Sequence, residues 1–133
     1  MGQDAASGRA GREYGLQMGE RLAALLGAKK VRNGSNEVLF GERRAVIKAA
    51  APNNDSIGVT ALMLKRLDEI YGGFEDEQGG VEVWRLSPED FRGGMRPSPS
   101  ARNRGADTRL VRKLHIREVG ERVAYFTADQ LRG

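Results

Sequence analysis

Residues 36–50 read NEVLFGERRAVIKAA, two apolar runs on either side of Gly41-Glu42. A two-residue turn with Gly first suits a type II′ hairpin, because glycine reaches the positive φ that the first turn position needs. Val38, Leu39 and Phe40 before the turn and Ala45, Val46 and Ile47 after it supply the two strands. If Phe40 pairs with Arg43, Glu37 faces Val46 and lies diagonal to Lys48 on one side of the ladder. The other side carries Val38, Phe40, Ala45, Ile47 and Ala49 and is apolar enough to be the core side. One acid and one ammonium therefore share a hairpin face.

The flanking segments predict an α/β domain. Residues 12–27 read as a helix, with Leu16, Leu22, Ala23, Leu25 and Leu26 as its apolar stripe, Glu20 near its middle and Gly27 as its stop. Residues 28–32 suit a short first strand, closed by the turn signal Asn33-Gly34-Ser35. After the hairpin, Pro52 and an Asn-Asn-Asp run form a loop, and Ser56 is a helix N-cap. Ile57, Ala61, Leu64, Leu67 and Ile70 then recur at helical spacing, so the expectation is a helix over 57–71 ended by Gly72-Gly73. A strand at 81–86 completes a crossover, which would set it beside and parallel to the strand carrying Lys48. Ser87-Pro88 opens a short helix, residues 93–108 form a basic loop, and 109–116 with 121–126 suit a closing hairpin around Gly120. Thr127 caps a terminal turn. The domain reading is a disordered tail at 1–11 and a single domain at 12–133, a mixed four- to six-stranded sheet flanked by helices.

On these residues the chain resembles the PD-(D/E)XK, or restriction-endonuclease-like, nucleases. Their core hairpin carries an Asp on one strand and a Glu-x-Lys on the next. Glu37 takes the place of the Asp, Lys48 that of the Lys, and Ala50 that of the small residue often found two places later. The helix before that hairpin often lends an acid, a role that falls to Glu20. The resemblance implies Glu20, Glu37 and Lys48 as the catalytic set and Glu20 and Glu37 as ligands of a Mg²⁺ ion. It implies that Lys48 positions or polarises the attacking water and the scissile phosphate. Val46 stands where the family places its second strand carboxylate. Val cannot ligate a metal, so the expectation is a nucleic-acid-binding domain with weak or no metal-dependent cleavage.

Charge placement points to the same partner. The chain has 22 Lys and Arg against 18 Asp and Glu, a net charge of +4. Between residues 92 and 117 there are eight basic residues against Asp107 alone, which leaves the rest of the chain acidic. Arg96, Arg102, Arg104, Arg109, Arg112 and Lys113 are the candidate phosphate contacts, with duplex DNA as the partner and little base reading. The alternative is a non-catalytic interaction module, in which Glu37 and Lys48 form a cross-strand ion pair and the basic loop docks an acidic protein.

Several classes find no support. The chain has no Cys, hence no disulfide or thiolate zinc site, and His115 is its only histidine. No Walker loop, G-x-G-x-x-G or G-x-S-x-G motif occurs. No run approaches the roughly 20 apolar residues of a membrane span, and the first fifteen residues lack a signal-peptide stretch. The expected location is the cytoplasm.

Overall fold

A computed structural model describes residues 2–32, 35–97 and 107–132, with side chains from residue 13 onward. The hairpin forms as its sequence predicts. Strand β2 (Glu37–Phe40) pairs antiparallel with β3 (Arg43–Ala50), Phe40 opposite Arg43 and Glu37 opposite Val46. Gly41 holds φ of 63° at the turn, a conformation that carries little penalty only without a Cβ. A short strand β1 (Lys29–Lys30) pairs with β2 on its outer side.

The helix expected over 57–71 does not form. Its place is taken by strand β4 (Ser56–Thr60), the single helical turn α2 (Ala61–Leu64) and strand β5 (Glu69–Glu75). Ser56, Gly58 and Thr60 alternate with the buried Ile57 and Val59, so β-branched residues at period 2 win over the coincidental helical spacing. The helix cap is Thr60, whose Oγ1 accepts a hydrogen bond from the Met63 amide, not Ser56. Gly72 and Gly73 are strand positions in place of a helix stop. A Cβ on Gly73 would lie 2.8 Å from Leu22 Cδ1, so glycine here lets the first helix approach the sheet closely.

The crossover therefore delivers β5, not the strand at 81–86, beside β3 and parallel to it. Strand β6 (Val81–Leu86) follows antiparallel to β5, and strand β9 (Glu121–Phe126) closes the row. The result is a mixed six-stranded sheet in the order β1-β2-β3-β5-β6-β9, an α/β architecture. Helix α3 (Pro88–Gly94) has the expected Ser87 cap. A second sheet, β4-β8-β7, contains β7 (Arg96–Pro97) and β8 (Thr108–Arg112). The closing hairpin is corrected too: helix α4 (Lys113–Val119) intervenes, so β8 and β9 belong to different sheets. The terminal helix α5 (Ala128–Arg132) is held by a reciprocal cap, with Thr127 Oγ1 accepting from the Gln130 amide and Gln130 Oε1 from the Thr127 amide.

Both faces of the large sheet are covered. Helix α1 (Gly2–Leu26) begins within the stretch 1–11 that the sequence reads as a tail. Its Leu22 and Ala23 pack with Val38, Ala45, Ile47, Tyr71, Val81 and Val83 and with Leu131 of α5. The small sheet and its neighbouring helices cover the other face, where Val46, Ala50, Ile57, Val59, Ile70, Phe74, Phe91, Val111 and Ile116 form a second core. Glu37 and Lys48 lie on this second face, as period 2 requires of residues aligned with Val46 and Ala50. No helix among the described residues is long and apolar enough to cross a membrane.

Candidate functional site

The hairpin sets Glu37 and Lys48 on one face, but their surroundings differ sharply. Glu37 is only 2% exposed, and the loop after α2 brings Arg66 over it. Arg66 Nη2 donates to Glu37 Oε1 at 2.8 Å and Nε donates to Oε2 at 3.2 Å. The guanidinium holds the carboxyl below its ordinary range against the opposing effect of burial. Val46, directly opposite, is wholly buried in the second core.

Glu20 lies elsewhere. It is exposed on α1, the helix that covers the opposite face of the sheet, and its Oε1 accepts from Lys30 Nζ at 2.7 Å. The two acids therefore do not converge, and each is matched by a cation. Among the described residues no cluster of three His, Asp or Glu could hold a metal ion.

Lys48 has neither an ion pair nor a hydrogen bond among the described residues. Burial disfavours its charged form and lowers its pKa. The side chain lines a cleft of about 1010 Å³ that forms beside the start of β2, where β3 continues past it, between α1 and β4. Arg32 lines the same cleft, and among the described residues no carboxylate does. Asn36, immediately before β2, also lines it, and its Oδ1 is buried without a hydrogen-bond partner among the described residues.

Beside this cleft lies the outer face of the small sheet. Ser56 opposes Arg112, Gly58 opposes Leu110, and Leu110 in turn opposes Arg96. These residues alternate with the buried Ile57, Val59 and Val111, so they share the side turned away from the core. Arg96 Nη2 reaches Ser56 Oγ at 3.5 Å, and Ser56 also lines the Lys48 cleft. Arg32 and Lys48 are thus joined across Ser56, whose Oγ also donates to the Asp55 carboxylate at 3.2 Å, to Arg96 and Arg112. Neither of these last two has a carboxylate partner among the described residues, although Glu118 borders the same hollow.

The other basic candidates are placed differently. Arg109 sits on the opposite side of β8, beside Val59, and pairs with Asp107 at 2.9 Å. Lys113 lies over the Phe74 ring at 5.4 Å. Arg102 and Arg104, with most of the expected loop, fall outside the described residues. His115 is on α4, not a strand, and its Nε2 lies 2.9 Å from the Asp90 carbonyl oxygen.

Sequence reasoning does not find Arg32, Asn36 or Arg66. Asn36 carries a usable signal, a polar residue at the mouth of a hairpin. Arg66 carries none once 57–71 is read as continuous helix. No protein-family model matches the chain, and comparison with curated proteins finds no match.

Proposed function

We propose that this domain binds nucleic acid, duplex DNA foremost, in the cytoplasm, through phosphate contacts, and that it does so without metal-dependent cleavage. One observation carries the reading: Arg96 and Arg112 occupy a single outer face of the small sheet, free of carboxylate partners among the described residues. A guanidinium fork matches phosphate oxygens and gains little from staying solvated, so such a face suits a polyanion. Phosphate contacts position a duplex without reading bases, which makes the binding tolerant of sequence.

The resemblance to the restriction-endonuclease-like core belongs to this reading. It is supported by the hairpin register and by the crossover that returns a parallel strand beside the Lys48 strand. Hydrolysis is not supported. Two carboxylates can hold one Mg²⁺ through its waters only if they point at a common ion, and Glu20 and Glu37 lie on opposite faces with cations of their own. The test combines retention of a labelled duplex in EDTA with a plasmid-nicking assay in Mg²⁺. Retention without nicking is the expected result. Loss of retention in EDTA, or robust nicking in Mg²⁺, would overturn the proposal.

A further inference from the structure

The cleft beside Lys48 is bounded by an unpaired strand edge. Within the small sheet β4 pairs with β8 alone, so its other edge has no neighbouring strand among the described residues. The Lys113 amide donates to the Asp55 carbonyl and the Ala61 amide to the Asp107 carbonyl, which fixes the alternation of this ladder. Ile57 and Val59 therefore bond to β8, and Ser56, Gly58 and Thr60 turn their backbone groups to the open side. Asn54 Oδ1 accepts from the Ser56 amide at 3.2 Å. Gly58 has neither its amide nor its carbonyl paired among the described residues, and it lines the cleft together with Ser56.

We infer that this edge takes up an extended acidic peptide as an added strand, its main chain bonded to Gly58 and its carboxylates directed to Lys48 and Arg32. Charge selects the side chains. Lys48 is part-buried, and Glu37, diagonal to it across the hairpin, is committed to Arg66. An ammonium in that position is costly until an anion approaches, and the cleft supplies none among the described residues.

The backbone selects the class of ligand. An open strand edge presents donors and acceptors in alternation, and a peptide main chain answers both. A phosphodiester chain offers acceptors alone and leaves the Gly58 carbonyl unanswered. Lys48 projects from the face of the large sheet on which β4 lies. One alternate set of peptide side chains thus turns toward Lys48, and the other lies against Leu110 on the outer face of the small sheet. The fitting sequence alternates acidic and apolar residues over about the five-residue length of β4.

The experiment is calorimetric titration of the full chain with acetyl-Val-Glu-Val-Glu-Val-amide. Its controls are the same peptide with Lys for Glu, and two versions N-methylated at the Val or at the Glu amides. The Glu peptide is expected to bind about tenfold or more tightly than the Lys peptide. An added strand uses one of its two edges, so one N-methylated version should lose about tenfold in affinity and the other little. Met matches the length of Lys, so K48M keeps the packing of the stem and should weaken binding about tenfold. Arg32 is exposed, so R32A preserves the fold even if K48M does not, and should cost about threefold. In amide hydrogen exchange the Gly58 N–H should gain protection from the Glu peptide, while Val59, already bonded to β8, should not change.

Absence of binding, equal affinity for the Glu and Lys peptides, equal effects of the two N-methylations or unchanged Gly58 exchange would overturn the inference. So would peptide affinity unchanged in both variants. Duplex binding weakened by K48M, with peptide binding unaffected, would assign the cleft to nucleic acid instead. Loss of duplex binding with peptide binding intact would remove the proposed function and leave this site standing.

Discussion

Arg66 grips Glu37 with two hydrogen bonds, Nη2 to Oε1 at 2.8 Å and Nε to Oε2 at 3.2 Å, across 29 residues of chain. The pair ties the first hairpin strand to the loop that leads into β5. It also occupies both oxygens of the Glu37 carboxylate.

The pair makes stability depend on acid. The folded Glu37 carboxyl titrates below its ordinary value of 4.5, so folding gains from its ionised form above that value. The gain is lost as pH falls through the depressed folded pKa. Melting temperatures of wild type and E37Q should therefore differ most near neutrality and converge as pH falls through the depressed folded pKa. R66A, which leaves the buried carboxylate without its partner, should lower the neutral melting temperature. A wild-type-to-E37Q difference that grows on acidification would contradict this.

Val46 is wholly buried opposite Glu37, which decides what a carboxylate introduced there would do. V46E places a second acid within the second core and should cost roughly 3 kcal/mol or more of stability in chemical denaturation. With Arg66 still on Glu37, V46E alone should show little stabilisation by Mg²⁺. The double variant V46E/R66A removes the competing guanidinium and should gain a Mg²⁺-dependent rise in melting temperature if the hairpin occupies the nuclease-like positions. V46E as stable as wild type would show that position 46 is not the core position described above.

Lys48 makes the opposite prediction on the alkaline side. Its folded pKa is depressed below the ordinary 10.5, so between the two values the unfolded chain binds more protons and wild-type stability rises with pH. K48M should be more stable than wild type at neutral pH, and the advantage should shrink as pH rises toward 10.5. Thermal melts of both proteins over that range test it. An advantage that is constant with pH would contradict a desolvated ammonium.

The close contact of α1 with the sheet sets a further test. G73A puts a Cβ within 2.8 Å of Leu22 Cδ1 and 3.2 Å of Val81 Cγ1. Overpacking of this kind should cost about 1–3 kcal/mol, measured by urea denaturation, with recovery in G73A/L22A limited by the lost leucine. A neutral G73A would place α1 farther from the sheet.

What the sequence reveals follows from where local pattern and burial agree. The hairpin is legible to the register, because Gly41 fixes the turn and with it the pairing of Phe40 with Arg43. The α/β class and the mixed sheet are legible from the alternation of strand and helix signals. Residues 57–74 are not, since Ile57, Leu64, Leu67 and Ile70 satisfy both a helical stripe and the inner faces of two strands. β5 is buried on both sides, so the alternation that marks a half-exposed strand is absent. Lys113–Val119 is hidden for a related reason: a strand reading sets Leu114 and Ile116 on one face, whereas on the helix Leu114 is exposed and Ile116 is buried. At the site, Lys48 and Glu37 are legible as neighbours on one face. The cation over Glu37 depends on a contact across 29 residues, and the cleft around Lys48 gathers residues from Gly15 to Leu110, which no local window contains.

The most direct test of the central claim is the salt dependence of duplex binding in EDTA for wild type and the R96A/R112A variant. If the outer face of the small sheet carries the phosphate contacts, log K for wild type falls steeply with log salt, and the variant binds more weakly with a slope shallower by about two. Equal affinity and equal slope in the two proteins would contradict the account.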